Sequence, residues 1–156
     1  MNLQEEILKI RNEMLDEFDK RVEALKAEEQ EFPQEGDSFY SISETGNIEG
    51  GMIWGGYPVD MNRMAIGNVF RTKDQAEFAA EKLRVEAELR KFSRKFIWGG
   101  ENWILSMGTN KDIFLVYEDD EMNQGAVYFE DEYKALEAIE AVGKERIKKY
   151  IFGVED

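Results

Sequence analysis

The chain of 156 residues contains no histidine and no cysteine, and each absence removes a class of chemistry. Without histidine it lacks the side chain that most often moves protons near neutral pH, and the commonest transition-metal ligand. Without cysteine, disulfides, iron–sulfur clusters and thiolate zinc sites are excluded, and a reducing compartment suits the chain. Apolar runs last only a few residues, so no segment reads as a bilayer span. Residues 1–6 (Met-Asn-Leu-Gln-Glu-Glu) are acidic at once, unlike a secretory signal or transit peptide. Carboxylate, lysine, serine, threonine and tyrosine chemistry is all that remains for catalysis. No hydroxyl has a histidine partner and no lysine has an evident activating neighbour in sequence. The expectation is a cytoplasmic, non-catalytic protein without cofactor or metal.

Negative charge is abundant. The chain has 34 acidic and 20 basic residues, a net charge of −14. Residues 1–35 carry 11 acids and 5 bases, residues 36–96 carry 9 of each, and residues 97–156 carry 14 and 6. Such a surface repels duplex nucleic acid and anionic membranes, because affinity for either rests on lysine and arginine neutralising phosphate. It attracts a basic protein surface, including the nucleic-acid channel of a host protein.

Residues 1–30 predict one amphipathic helix. Leu3, Ile7, Ile10, Met14, Phe18, Val22 and Leu25 recur at spacings of three and four, with charged residues between them. That stripe calls for a cover: either the body of the protein, through the Phe78/Leu89/Phe92 face, or a homodimeric coiled coil through residues 3–25. Residues 27–35, with Pro33, then read as a linker.

Past residue 36 a module is written twice. Phe70, Ala76, Ala79 and Glu81 recur as Phe129, Ala135, Ala138 and Glu140 at a constant offset of 59. Each copy predicts a β-hairpin, a third short strand and a helix. In residues 36–96 the hairpin is residues 39–54, residues 57–64 form a loop, residues 65–70 the third strand, and a helix capped by Thr72 and Gln75 runs to Phe96. In residues 97–156 the hairpin is residues 103–117, residues 126–129 the third strand, and Asp131 caps a helix that Gly143 stops before a final helix over residues 145–152. The fold class is therefore α+β: an N-terminal helix and two repeated β-hairpin–strand–helix units sharing one core in one compact domain.

Three constellations could carry function. The tetrad Glu118, Asp119, Asp120 and Glu121 is the densest acidic cluster. It lacks the alternating ligands of a calcium loop, which leaves it as a surface for a basic partner. Trp54, Tyr57, Trp98 and Trp103 could line an aromatic groove for a base or peptide. Arg84, Arg90, Lys91, Arg94 and Lys95 form the one concentrated basic patch, placed at the end of the long helix, where cations are favoured on structural grounds alone.

The run Glu31-Phe32-Pro33, Gly36 to Ile42, Gly46, Trp54, Asn62-Arg63 and Gly67 to Lys73 is similar to small proteins encoded by phages and prophages of Gram-positive bacteria. The likeness continues through Ala76 to Ala79, Lys82-Leu83 and Glu88-Leu89, and through the tail Ala138 to Glu140 and Gly143 to Glu155. It covers residues 31–156 and skips the N-terminal helix. The resemblance implies a setting among accessory phage genes in a bacterial host cell, and it assigns no catalytic or ligand residue. Charge, missing chemistry and setting together favour an acidic antagonist of a host antiviral or nucleic-acid-handling protein. The alternatives are a nucleotide binder using the aromatic groove and a phage regulator binding nucleic acid through the basic patch.

Overall fold

The structure is a computed structural model that describes residues 2–29 and 31–155. Residues 1, 30 and 156, the outer bounds of the predicted N-terminal helix and second unit, lie outside the described residues. The protein is α+β: helix α1 (Leu3–Glu29), hairpin β1–β2 (Ser38–Ile42, Ile48–Ile53), helices α2 (Pro58–Ala65) and α3 (Lys73–Arg90), hairpin β3–β4 (Asn102–Met107, Ile113–Glu118), and helices α4 (Glu132–Val142) and α5 (Lys144–Ile151). Each hairpin is a separate two-stranded antiparallel sheet.

Helix α3 is the central element. Its first turn is closed reciprocally: Gln75 N–H donates to Thr72 Oγ1 at 3.3 Å, and Thr72 N–H donates to Gln75 Oε1 at 3.3 Å. Ala76 and Ala80 are buried on its N-terminal half, Val85 and Leu89 on its C-terminal half. The helix packs on β1 and β2 and also on α4 and α5. The small alanines permit close approach of a neighbour. Val85 and Leu89 join Phe129, Ala135, Ala138, Val142 and Ile147 in the main core. Burying side chains of that size contributes about 1.5–3 kcal/mol each.

The Phe78/Leu89/Phe92 face of α3, one of the two covers expected for the N-terminal stripe, is taken by α4 and α5. Helix α1 does not take that place. Its Leu3, Ile7, Ile10, Met14, Phe18 and Leu25 are exposed, as are Leu8 and Leu15, at 48–72 % of their surface. The ion pairs Lys9–Glu13, Arg21–Glu17 and Lys26–Glu23 all lie within the helix. Arg146 ties α5 to α3, donating to Glu88 Oε2 and Oε1 at 3.0 and 3.1 Å. These hydrogen bonds are the main reason the Glu88 carboxyl is held below its ordinary pKa.

Three local expectations are corrected. Residues 57–64, read as a loop, form α2. Pro58 occupies its first turn, where a missing N–H costs nothing, and buried Asp60 accepts from Gly55 and Tyr57 N–H at 3.1 and 3.3 Å. Helix α3 ends at Arg90 rather than Phe96. Ser93 Oγ donates to Arg90 C=O at 2.8 Å, and Arg94 N–H then donates to Tyr128 C=O at 2.9 Å, drawing the chain into a bridge. The third strands shrink to one-residue bridges, Tyr40 with Phe70 and Trp103 with Phe129.

Hairpin β1–β2 has a register irregularity between Phe39 and Ser41. Opposite it, a Cβ at Gly50 would stand 2.5 Å from the Tyr40 ring, so a larger residue there would displace that ring. Hairpin β3–β4 is regular over six pairs, from Asn102 with Glu118 to Met107 with Ile113.

Candidate partner-binding surface

The best-constructed surface lies where β3 begins and β4 ends. Asn102 is the first residue of β3 and is fully buried. Its Oδ1 accepts from Ile97 N–H at 2.9 Å and from Arg94 Nη1 at 3.1 Å. Its Nδ2 donates toward Ile97, Gly100 and Glu118 C=O at 2.8, 3.1 and 2.9 Å. Arg94 Nη1 also donates to Lys95 C=O at 2.9 Å, and its Nη2 donates to Glu101 C=O. Around this one amide, residues 97–101 fold into a tight turn. Gly99 takes φ +67°, a conformation glycine reaches at no steric cost.

That turn displays Ile97 and Trp98, the latter 67 % exposed. The Trp98 ring stands edge-on to Phe96, with centroids 5.0 Å apart, and Phe96 stands edge-on to Tyr128 at 5.0 Å. Tyr128 is buried, and its hydroxyl accepts from Asn123 N–H at 2.6 Å, which holds the loop that follows β4. Gly99 N–H donates to Asp119 C=O at 3.0 Å, so the Trp98 turn and the acidic segment are joined through their backbones.

Two acids of the tetrad are held there through their carbonyls, Glu118 by Asn102 and Asp119 by Gly99. Glu118 ends β4 half-buried, while Asp119, Asp120 and Glu121 are exposed. Among the described residues, the ion pairs engage none of the four. Asp119, Asp120 and Glu121 carry their charge at the surface, on a segment joined by Asp119 to the turn that exposes Trp98.

The aromatic groove is not assembled in this way. Trp54 is 7 % exposed and packs edge-on against Phe39 at 6.0 Å, while Tyr57 projects at the start of α2. Trp103 lies in the second hairpin against Tyr117 at 5.7 Å and packs on the main core. Its Nε1 is the one buried side-chain polar atom without a partner among the described residues. Of the four aromatics, Trp98 alone belongs to the surface beside the tetrad.

The basic patch is likewise dispersed. Arg84 donates to Gly46 C=O at 2.8 Å and pairs with Glu81, and Arg90 pairs with Glu86 at 3.7 Å. Lys91 caps α3, Arg94 is spent on the Asn102 turn, and Lys95 lies beyond the helix. The expectation that all five share the last turns of one helix fails because α3 stops at Arg90.

Sequence reasoning missed Asn102, whose only local mark is an asparagine where a strand begins. It also missed α2, which exposes Val59, Met61 and Met64, with Ile66 just beyond its end 78 % exposed. Pro58 followed by Asp60 was the available mark of that helix. A groove of about 670 Å³ between the β1–β2 turn, α3 and α5 is lined by Arg84, Lys149, Phe78 and Tyr150, among others. Both of its cations are paired, Arg84 with Glu81 and Lys149 with Glu155.

Among the described residues no group of three or more acidic side chains is placed to hold a metal ion. No helix among them is long and apolar enough to cross a membrane. No family model, curated protein or solved structure matches this chain.

Proposed function

We propose that this is a non-catalytic acidic binding protein of phage origin, which acts in the bacterial cytoplasm by occupying a basic surface on a host protein that handles nucleic acid. The observation that carries this reading is the juxtaposition of Trp98, exposed on a turn fixed by buried Asn102, with an acidic segment whose four carboxylates enter none of the ion pairs among the described residues. Exposed aromatics that fill a partner's pocket supply much of the energy of protein interfaces, and surrounding charge sets encounter rate and specificity. Duplex nucleic acid is not the ligand of such a surface, since phosphates and carboxylates repel.

We further propose that the two β-hairpin units derive from one duplicated module. Phe70 and Phe129 each bridge the first strand of the preceding hairpin, at Tyr40 and Trp103. Two residues later Thr72 and Asp131 cap a helix whose Ala76 or Ala135 is buried.

The functional reading is tested by affinity capture from a lysate of the bacterial host. The intact protein is expected to retain a basic nucleic-acid-binding protein, and a variant with Glu118, Asp119, Asp120 and Glu121 changed to Lys is expected to lose it. Retention of the same partner by both proteins contradicts the proposal, as does a mobility shift of duplex DNA by the protein alone.

A further inference from the structure

Helix α1 exposes eight large apolar side chains, and the shape of that surface selects its occupant. Leu3, Met14 and Leu25 follow one another at intervals of 11 residues, and Ile7 and Phe18 keep the same interval. An 11-residue period is 3.67 residues per turn, so the stripe runs nearly straight along the helix. Over 27 residues the helix is about 40 Å long. A straight apolar strip of that length fits a second long helix. Among the described residues the next longest helix, α3, has 18 residues and is already covered on two sides.

We infer that α1 pairs with α1 of a second copy in an antiparallel, two-fold arrangement centred on Met14. Five of the nine large apolar positions mirror one another about that residue, while Ile7, Leu8, Leu15 and Val22 come level with Arg21, Lys20, Glu13 and Glu6. Leu3 and Leu25 lie 11 residues to either side of Met14, and Ile10 and Phe18 lie four to either side. Antiparallel pairing sets Leu3 against Leu25, Ile10 against Phe18 and Met14 against its own copy. Arg21, which stands seven residues from Met14, reaches the level of Ile7 in the second copy, beside Glu6. Arg21 stands at the same angle as Leu3, five helical turns away, and pairs with Glu17 of its own helix at 3.4 Å.

Charge favours this orientation over the parallel one. Residues 36–96 are neutral and residues 97–156 have a net charge of −8, so each body carries −8. A parallel pair places both bodies at one end. The antiparallel pair separates them by about the helix length of 40 Å, several times the screening length of about 8 Å. The area is sufficient as well. Eight apolar side chains exposed at 48–72 % offer on the order of 600 Å² per copy to a facing helix. About 1,200 Å² in total meets the lower bound for a specific interface.

Light scattering on the full chain at micromolar concentration tests this, and a mass near twice 18.2 kDa is expected. Ile10→Asp is expected to halve that mass while tryptophan emission shows the body still folded, and Glu13→Ala is expected to leave the dimer intact. A wild-type mass of one chain, or a dimer that survives Ile10→Asp, overturns the proposal. Because the chain has no cysteine, orientation is read directly by oxidation of single-cysteine variants. Leu3→Cys mixed with Leu25→Cys is expected to give a crosslinked heterodimer. Efficient crosslinking of Leu3→Cys with itself indicates parallel pairing and overturns the arrangement.

Discussion

Replacing Asn102 by alanine should cost more than any other change at the proposed binding surface. The side chain is fully buried and serves two N–H donors and three carbonyl acceptors. Its removal deprives the Ile97 N–H and the Glu118 C=O of this partner, while the Ile97 C=O keeps the Gly100 N–H at 3.0 Å. A buried polar group left unpaired costs about 1–3 kcal/mol, and water entering the opened turn recovers part of that. A net loss of about 3 kcal/mol follows, roughly 6–12 °C in melting temperature for a chain of this length. The main core, built around Val85, Leu89, Phe129 and Ile147, contains no atom of Asn102 and should persist. Urea unfolding followed by far-UV circular dichroism measures the loss, and acrylamide quenching of tryptophan reports the freedom of the Trp98 turn. An Asn102→Ala protein within about 0.5 kcal/mol of wild type, with unchanged quenching, would refute the claim that this amide organises the surface.

In the main core, Ile147→Ala should destabilise by about 2–5 kcal/mol in urea unfolding, whereas Leu83→Ala, at an exposed site on α3, should stay within about 0.5 kcal/mol. Trp103→Phe should cost far less than Trp103→Ala, for which about 3–5 kcal/mol is expected, because the phenyl ring refills most of the volume and removes an unpartnered N–H. The Glu88–Arg146 pair carries a pH signature. The Glu88 pKa is lowered by folding, so its contribution is present above the ordinary carboxylate pKa of about 4.3 and is lost as pH falls through the lowered value. Glu88→Gln should therefore flatten the acid limb of the stability profile by under about 1 kcal/mol, the pair being partly exposed, and leave the slope near neutral pH unchanged.

What the sequence made legible was local. The period of α1, the cap at Thr72 with Gln75, the cap at Asp131 and the stop at Gly143 all act within a few residues. Both hairpins were recognisable for the same reason, from alternation and turn residues. The end of α3 was not, because no residue between Arg90 and Phe96 forbids a helix. The chain leaves it to meet Tyr128, 34 positions downstream of Arg94, and such a contact has no local mark. Helix α2 escaped because proline and glycine flank it, and proline in a first turn resembles proline in a loop. The acidic tetrad was legible as a cluster. Trp98 shares no local pattern with it, because the buried Asn102 amide and the Gly99–Asp119 hydrogen bond bring the two together. The exposed stripe of α1 shows the same limit from the other side. Periodicity announces that a face needs cover and is silent about which surface supplies it.

The central claim is that charge and one aromatic anchor act together on a basic partner, and kinetics on the captured partner tests it most directly. Association and dissociation rates should be measured at 0.1 M and 1 M salt for wild type, Trp98→Ala and the four-lysine tetrad variant, where screening shortens from about 10 Å to about 3 Å. Wild type should associate more slowly at high salt, the tetrad variant should associate slowly at both, and Trp98→Ala should mainly dissociate faster. Rates insensitive to salt and equal among the three proteins would contradict the account and move the functional contact elsewhere on the molecule.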